Sequence, residues 1–141
     1  MFNVYLSSTS YHFWNLTGYF WKSKLKKLIS KYSKNKINFI DPLTFRSNDP
    51  IVCKIDLRDI NNSSFVAIYL DKITIGTMLE LGYCLYHRHP DTWCIYSKTR
   101  SVLKHPWILY LCKKNIFTDI NKVSRLIIKK SNEFYNYKNH G

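Results

Sequence analysis

Acidic residues are scarce in this chain of 141 residues, where nine Asp and Glu stand against 22 Lys and Arg for a formal net charge of +13. Only two of the nine are glutamates, Glu80 and Glu133. Also missing is any apolar run of about 18 residues, the length a membrane-spanning helix needs. The longest, Ser64 to Leu70 and Trp107 to Cys112, suit single buried elements. The first lysine is Lys22 and the opening apolar run is short, so a secretory signal pattern is absent and the cytoplasm is the expected compartment. The cysteines Cys53, Cys84, Cys94 and Cys112 form no close pair, which removes zinc-ligand and redox-motif spacing. They read as reduced core thiols. Neither a metal site nor a cofactor is implied.

What is present points to a globular chain. An apolar fraction of 45% and an aromatic fraction of 16% exclude a disordered polymer, and the length suits one domain over residues 1–141. The positive charge favours anionic partners: nucleic acid, membrane headgroups or small phosphates. Seven lysines crowd into WKSKLKKLISKYSKNK, where Leu25, Leu28, Ile29 and Tyr32 keep helical spacing. That pattern predicts an amphipathic helix with a solvated basic face; a nucleic-acid surface is the alternative.

Short apolar runs alternate with helical patterns along the chain. Strands are predicted at Phe2 to Leu6, Lys36 to Ile40, Ser64 to Leu70, Thr92 to Tyr96 and Asn115 to Phe117. Helices are predicted from about Phe13 to Ser33, after Asp49-Pro50 to about Ile60, from about Thr77 to His89, in two pieces around Pro106, and after Asp119. In the last helix Ile120, Val123, Ile127 and Lys130 share a stripe, and the tail from about residue 131 is expected to fray. The alternation predicts an α/β, flavodoxin-like or Rossmann-like doubly wound fold with about five parallel strands. Ligands in such a sheet sit beyond the carboxyl ends of the strands at the switch point between the first and third. In this chain those ends are the loops SSTSY and DKITIG.

In so basic a chain each acid needs a reason. Asp49 and Asp119 sit at helix caps, Asp41 and Asp91 flank prolines in turns, and Glu133 lies in the tail. Asp59 and Asp71 receive no role. Glu80 lies between Leu79 and Leu81 in the first turn of a predicted helix, beside the predicted crevice. Either it complements the helix dipole, or it is a nucleophile or base at the crevice mouth. Gly76 and Thr77, at the predicted helix start, would let a ligand approach backbone amides.

The segment IDLRDINNSSFVAIYLDKITIGTMLELGYC, with VYLSSTS and Asp41-Pro42, resembles the nucleoside 2-deoxyribosyltransferase family over residues 3 to about 96. The most specific part is GTMLELGY together with Asp56, 24 residues before Glu80. The resemblance implies that Glu80 is the nucleophile attacking the anomeric carbon of an N-glycoside. It implies that Asp56 contacts the sugar or helps protonate the departing base, and that Tyr5 holds the nucleophile. Tyr5 reads equally as a core aromatic. Many transferases of the family carry an aspartate where this chain has Thr74, whereas the related 2′-deoxynucleoside 5′-phosphate N-hydrolases have a serine that helps hold the 5′-phosphate. Thr74 is similar to that branch, and Ser7, Ser8, Thr9 and Ser10 supply further hydroxyls. Ser64 stands where an aspartate is common, YHFW replaces a Gly-rich turn, and SKTRSVLKHP offers Ser101, Lys104 and His105 in place of a serine that the hydrolases donate to a neighbouring subunit. Lys98, Arg100 and Lys104 are phosphate ligands or plain surface cations; Tyr83, Cys84 and His87 are read as packing or subunit contacts.

The leading expectation is therefore an enzyme that cleaves the N-glycosidic bond of a (deoxy)nucleoside 5′-monophosphate and releases the base to water. A base-exchanging nucleoside 2-deoxyribosyltransferase is the alternative, and a non-catalytic nucleotide or nucleic-acid binder the third. Partners are a small nucleotide or nucleoside and, from the resemblance and from Trp107 and Tyr110, a second copy in a homo-oligomer.

Overall fold

In the computed structural model, which describes residues 1–7, 17–42 and 49–140, the apolar run FVAIY becomes strand β3 (Phe65–Tyr69). Phe65, Val66, Ala67 and Ile68 are all buried, as a strand covered by helices on both faces requires. β1 (Phe2–Ser7) lies beside it, with β2 (Ile37–Ile40) on the outer flank and β4 (Trp93–Tyr96) and β5 (Ile116–Phe117) on the other side. The sheet order is β2-β1-β3-β4-β5 and every pairing is parallel. This is the doubly wound α/β architecture expected from the sequence, and it places the switch point between β1 and β3.

Period-two alternation divides the core into two layers. Phe2, Val4 and Leu6 of β1 pack with Trp21, Leu25 and Ile29 of α1 (Thr17–Tyr32) and with Val123 and Ile127 of α6 (Ile120–His140). Tyr5 points the opposite way, into a layer with Val66, Ile68 and Ile95 from the sheet. Ile60 of α2 (Ile51–Asn62), Leu81 and Cys84 of α3 (Ile75–His87) and Ile108 of α5 (Pro106–Cys112) complete that layer. The short α4 (Arg100–Leu103) precedes α5, and Pro106 at the first position of α5 separates the two. Arg88 ties the end of α3 to the loop before β3, its guanidinium donating to the carbonyls of Ile60 (2.6 Å) and Ser63 (3.0 Å).

Several local expectations change. The helix start expected at Phe13 lies outside the described residues; the described part of α1 begins at Thr17. α3 opens at Ile75, two residues early, so Glu80 falls in its second turn, and no acid occupies the first. α6 does not fray at residue 131 but runs to His140. Phe134 and Tyr135 pack against the core there, and the Tyr135 hydroxyl donates to the Lys36 carbonyl at 2.8 Å. This partial burial, a share of the about 1.5–3 kcal/mol that full burial of a large apolar side chain contributes, outweighs end fraying. Cys84, Cys94 and Cys112 are buried thiols, but Cys53 is exposed on α2. The run Trp107 to Cys112 buries only Ile108 and Cys112, leaving Trp107 67% exposed. No helix among the described residues is long and apolar enough to cross a membrane.

Candidate functional site

Tyr5 and Ser7 share parity on β1, so both side chains leave the strand on the side covered by α2 and α3. In register, Tyr5 is level with Val66 and Ser7 with Ile68, next to the carboxyl end of β3. The strand end at Tyr69 hands the chain to the turn at Asp71, whose carboxylate accepts the Lys72 amide (2.9 Å), and then to α3. This connection brings Glu80 back over the end of β1.

Glu80 is 8% exposed. Its two carboxylate oxygens receive different donors: the Tyr5 hydroxyl donates to Oε1 at 3.2 Å, and the Ser7 hydroxyl donates to Oε2. Hydrogen bonds to an ionised group are stronger than neutral ones, and two on opposite oxygens fix the plane of the carboxylate. A buried carboxylate oriented in this way at a switch-point crevice can act as a nucleophile or a base. Helix-dipole complementation is the weaker account of Glu80, since the dipole effect fades beyond the first turn. The core-aromatic reading of Tyr5 holds, since its ring is fully buried, and its hydroxyl in addition reaches Glu80.

Asp56 is a second buried carboxylate, 6% exposed, one helical turn before Ile60 on the inward face of α2. It therefore belongs to the same helix layer as Glu80. Thr77 is buried and its hydroxyl accepts from that of Thr74 at 3.0 Å. Thr74 stands just before α3 in extended conformation and makes no side-chain cap. A Cβ added at Gly76 would meet nothing within 4 Å, so space is open above the start of the helix. Ser8, Thr9 and Ser10 lie outside the described residues.

Among the described contacts, the other expected residues make no hydrogen bond to Glu80. Lys98, Arg100 and Lys104 are exposed around α4. The Tyr83 hydroxyl bonds Asn61 of α2 (2.7 and 3.0 Å) and its ring lies 4.5 Å from that of His87, which makes it a packing residue within the chain. Asp59 pairs with its neighbour Arg58 at 3.2 Å on an exposed face. Among the described residues no group of three His, Cys, Asp or Glu could hold a metal ion.

Two features escaped the sequence reading. Asp41 is not merely a turn residue: it follows Ile40, the register neighbour of Tyr5, and its carboxylate pairs with both Lys22 and Lys26. Lys22, expected on a solvated face, is only 9% exposed. Burial pushes its ammonium below the usual lysine value; Asp41 opposes that shift and Glu80 also favours the charged form. The signal existed in the sequence, because Lys22 sits three residues before Leu25 and seven before Ile29, on the apolar stripe itself.

No protein-family model matches the chain, and no curated protein is similar to it in sequence. Among solved structures it is similar to a 2-deoxyribosyltransferase from the psychrotolerant bacterium Bacillus psychrosaccharolyticus, which is described as a biocatalyst for the synthesis of antiviral and antitumoral nucleosides. That likeness has a TM-score of 0.60 at 19% identity and covers 86% of this chain and 90% of the other. The two chains share the α/β fold with its five-stranded parallel sheet.

Proposed function

We propose that the protein cleaves the N-glycosidic bond of a (deoxy)nucleoside 5′-monophosphate, with Glu80 as the nucleophile. The observation that carries the proposal is the delivery of Tyr5 and Ser7 to separate oxygens of one buried carboxylate at the switch point between β1 and β3. The Glu80 carboxylate attacks the anomeric carbon as the carbon–nitrogen bond breaks, and the electron pair of that bond leaves with the base. The base takes up a proton, for which Asp56 is the assigned donor. Water then attacks the glycosyl ester at the same carbon, gives up a proton and releases Glu80; two inversions retain configuration. Thr74, Gly76 and Thr77, with Ser8 and Thr9, are assigned to the sugar and phosphate side.

A second reading, transfer of the glycosyl group to another base, is favoured by the 2-deoxyribosyltransferase whose fold the chain shares. Both begin with the same ester and differ in the acceptor. Incubation with dCMP, dTMP, dGMP and the free nucleosides, with and without an added base, separates them. Free base from nucleotides alone supports hydrolysis; exchange that needs an acceptor supports transfer. No free base from any substrate, with Glu80→Ala indistinguishable from wild type, overturns both.

We also propose that the enzyme works as a homo-oligomer. Ile75, Leu79 and Tyr86 of α3 and Trp107 and Tyr110 of α5 are exposed on the side of the sheet that α2 shares. Between Ile75 and Tyr86 the sole charge is the buried Glu80. In a chain of net charge +13, such a face is where two copies approach with least repulsion. A monomer by light scattering at micromolar concentration would refute this.

A further inference from the structure

The first half of α1 carries a feature that the cleavage chemistry does not use. Tyr19, Lys22, Ser23, Lys26 and Lys27 face Asp41 across a cleft of about 210 Å³. Three lysines and one carboxylate thus line the cleft. Asp41 takes Lys22 and, at 3.2 Å, Lys26. Lys27 is exposed at the rim. One carboxylate shared by two ammoniums leaves the cleft positive, and the tight pairing positions Lys22 and Lys26. Lys22 is buried beside Asp41, and burial is the largest influence on its ammonium, pushing it below the usual lysine value against the pull of Asp41. A second anion would therefore gain more from this ammonium than from an exposed one. The cleft also adjoins the Glu80 site. Asp41 is one residue past the register neighbour of Tyr5, and Lys22 is close enough to feel the charge of Glu80.

We propose that the cleft formed by Lys22, Lys26, Lys27 and Asp41 is an anion subsite that binds a phosphoryl group. The hydroxyls assigned to phosphate at the start of α3 carry no charge, and among those described Ser7 is bonded to Glu80 and Thr74 to Thr77. The cleft along α1 supplies grouped cations that can compensate a phosphate dianion. The phosphoryl group is either that of the nucleotide substrate, which rests on the proposed N-glycosidic function, or that of a free phosphate bound beside it.

The test has a readout that needs no turnover. Inorganic phosphate is titrated by calorimetry into wild-type protein, into Lys26→Ala/Lys27→Ala, and into Lys113→Ala/Lys114→Ala, which removes equal charge from the exposed turn after α5. Lys22 is left intact, because its loss would strand Asp41. Saturable binding that weakens at least tenfold in the α1 variant and stays within twofold of wild type in the control supports the subsite. Equal binding by all three proteins, equal weakening in both variants, or no saturable binding overturns it. The source of the phosphoryl group follows from the ratio of kcat/KM for dCMP to that for deoxycytidine. A tenfold fall of this ratio in the α1 variant assigns the cleft to the substrate's own 5′-phosphate; an unchanged ratio with lost phosphate binding assigns it to free phosphate. Lysine-dependent phosphate binding by a protein that releases no base sustains the subsite while the enzymatic proposal falls.

Discussion

Replacing Tyr5 with Phe removes one hydroxyl and little else, because the ring is fully buried between Val66 and Ile40 in the register of the sheet. The lost hydrogen bond ends on a carboxylate, a class worth about 1.5–3 kcal/mol. At 3.2 Å it is longer than the 2.7–2.9 Å typical of strong charge-assisted bonds, so the lower part of that range applies. About 1.5–2 kcal/mol corresponds to a ten- to thirtyfold fall in kcat, as Glu80 loses the donor on Oε1 and samples unproductive orientations. KM should change by less than about threefold if Tyr5 acts on the nucleophile and not on substrate affinity. Ser7→Ala removes the donor on the opposite oxygen. Because both hydroxyls hold one carboxylate, the double variant should be non-additive, with a coupling of about 0.5–3 kcal/mol. The assay is base release from a nucleotide under saturating conditions, with thermal melting run in parallel. Tm should fall by about 5–7 °C in Tyr5→Phe with the protein still folded at the assay temperature, which separates orientation from unfolding. Wild-type kcat in Tyr5→Phe, or strict additivity with Ser7→Ala, would refute the claim that these hydroxyls orient Glu80.

Thiol chemistry tests the core. Burial pushes Cys84 up to about 12 and Cys112 up to about 11, and raises Cys94 as well, so these thiols stay protonated at pH 8. A thiol reagent should therefore label exposed Cys53 rapidly and the other three only on unfolding; rapid labelling of two or more sites counts against the packing. At the start of α6, the Asp119 carboxylate accepts the Asn121 amide at 2.8 Å, which holds its pKa below the usual aspartate value. A depressed carboxyl pKa gives stability that is present above the unfolded value and lost as pH falls through the folded one. Asp119→Ala should accordingly lower Tm at pH 7 and converge with wild type below about pH 3; an equal deficit at both pH values would show that the carboxylate charge is irrelevant. Truncation after residue 130 should destabilise the protein markedly, since it removes Phe134 and Tyr135 from the core, and an unchanged Tm would restore the frayed-tail expectation.

Much of the fold was legible because its signals are local. FVAIY and WCIY are continuous apolar runs, and the alternation of strands with helices leaves few topologies open. A parallel doubly wound sheet of about five strands followed from that alternation, whereas the order β2-β1-β3-β4-β5 is read from the structure, and Glu80, Tyr5 and Asp56 stood out through a spaced motif. What was misread depends on contacts distant in sequence. The helical run from residue 131 looks polar, yet Tyr135 reaches Lys36 across 99 positions. Ser7 looked like one of several loop hydroxyls, and only the register of β1 against β3 shows that it shares a face with Tyr5. Asp41 and Lys22 looked like a turn acid and a surface cation, because their pairing spans the gap between two elements. Apolar content alone misled at α5, where Trp107, Leu109, Tyr110 and Leu111 point outward.

The most direct measurement of the central claim is mass spectrometry of the protein quenched during turnover of a 2′-deoxynucleoside 5′-monophosphate. Glu80 as nucleophile predicts a transient mass increase equal to the deoxyribosyl phosphate unit, mapped to the peptide that contains Glu80, and the loss of both this adduct and base release in Glu80→Gln. Steady base release by wild type with no adduct on that peptide, and persisting in Glu80→Gln, would contradict it.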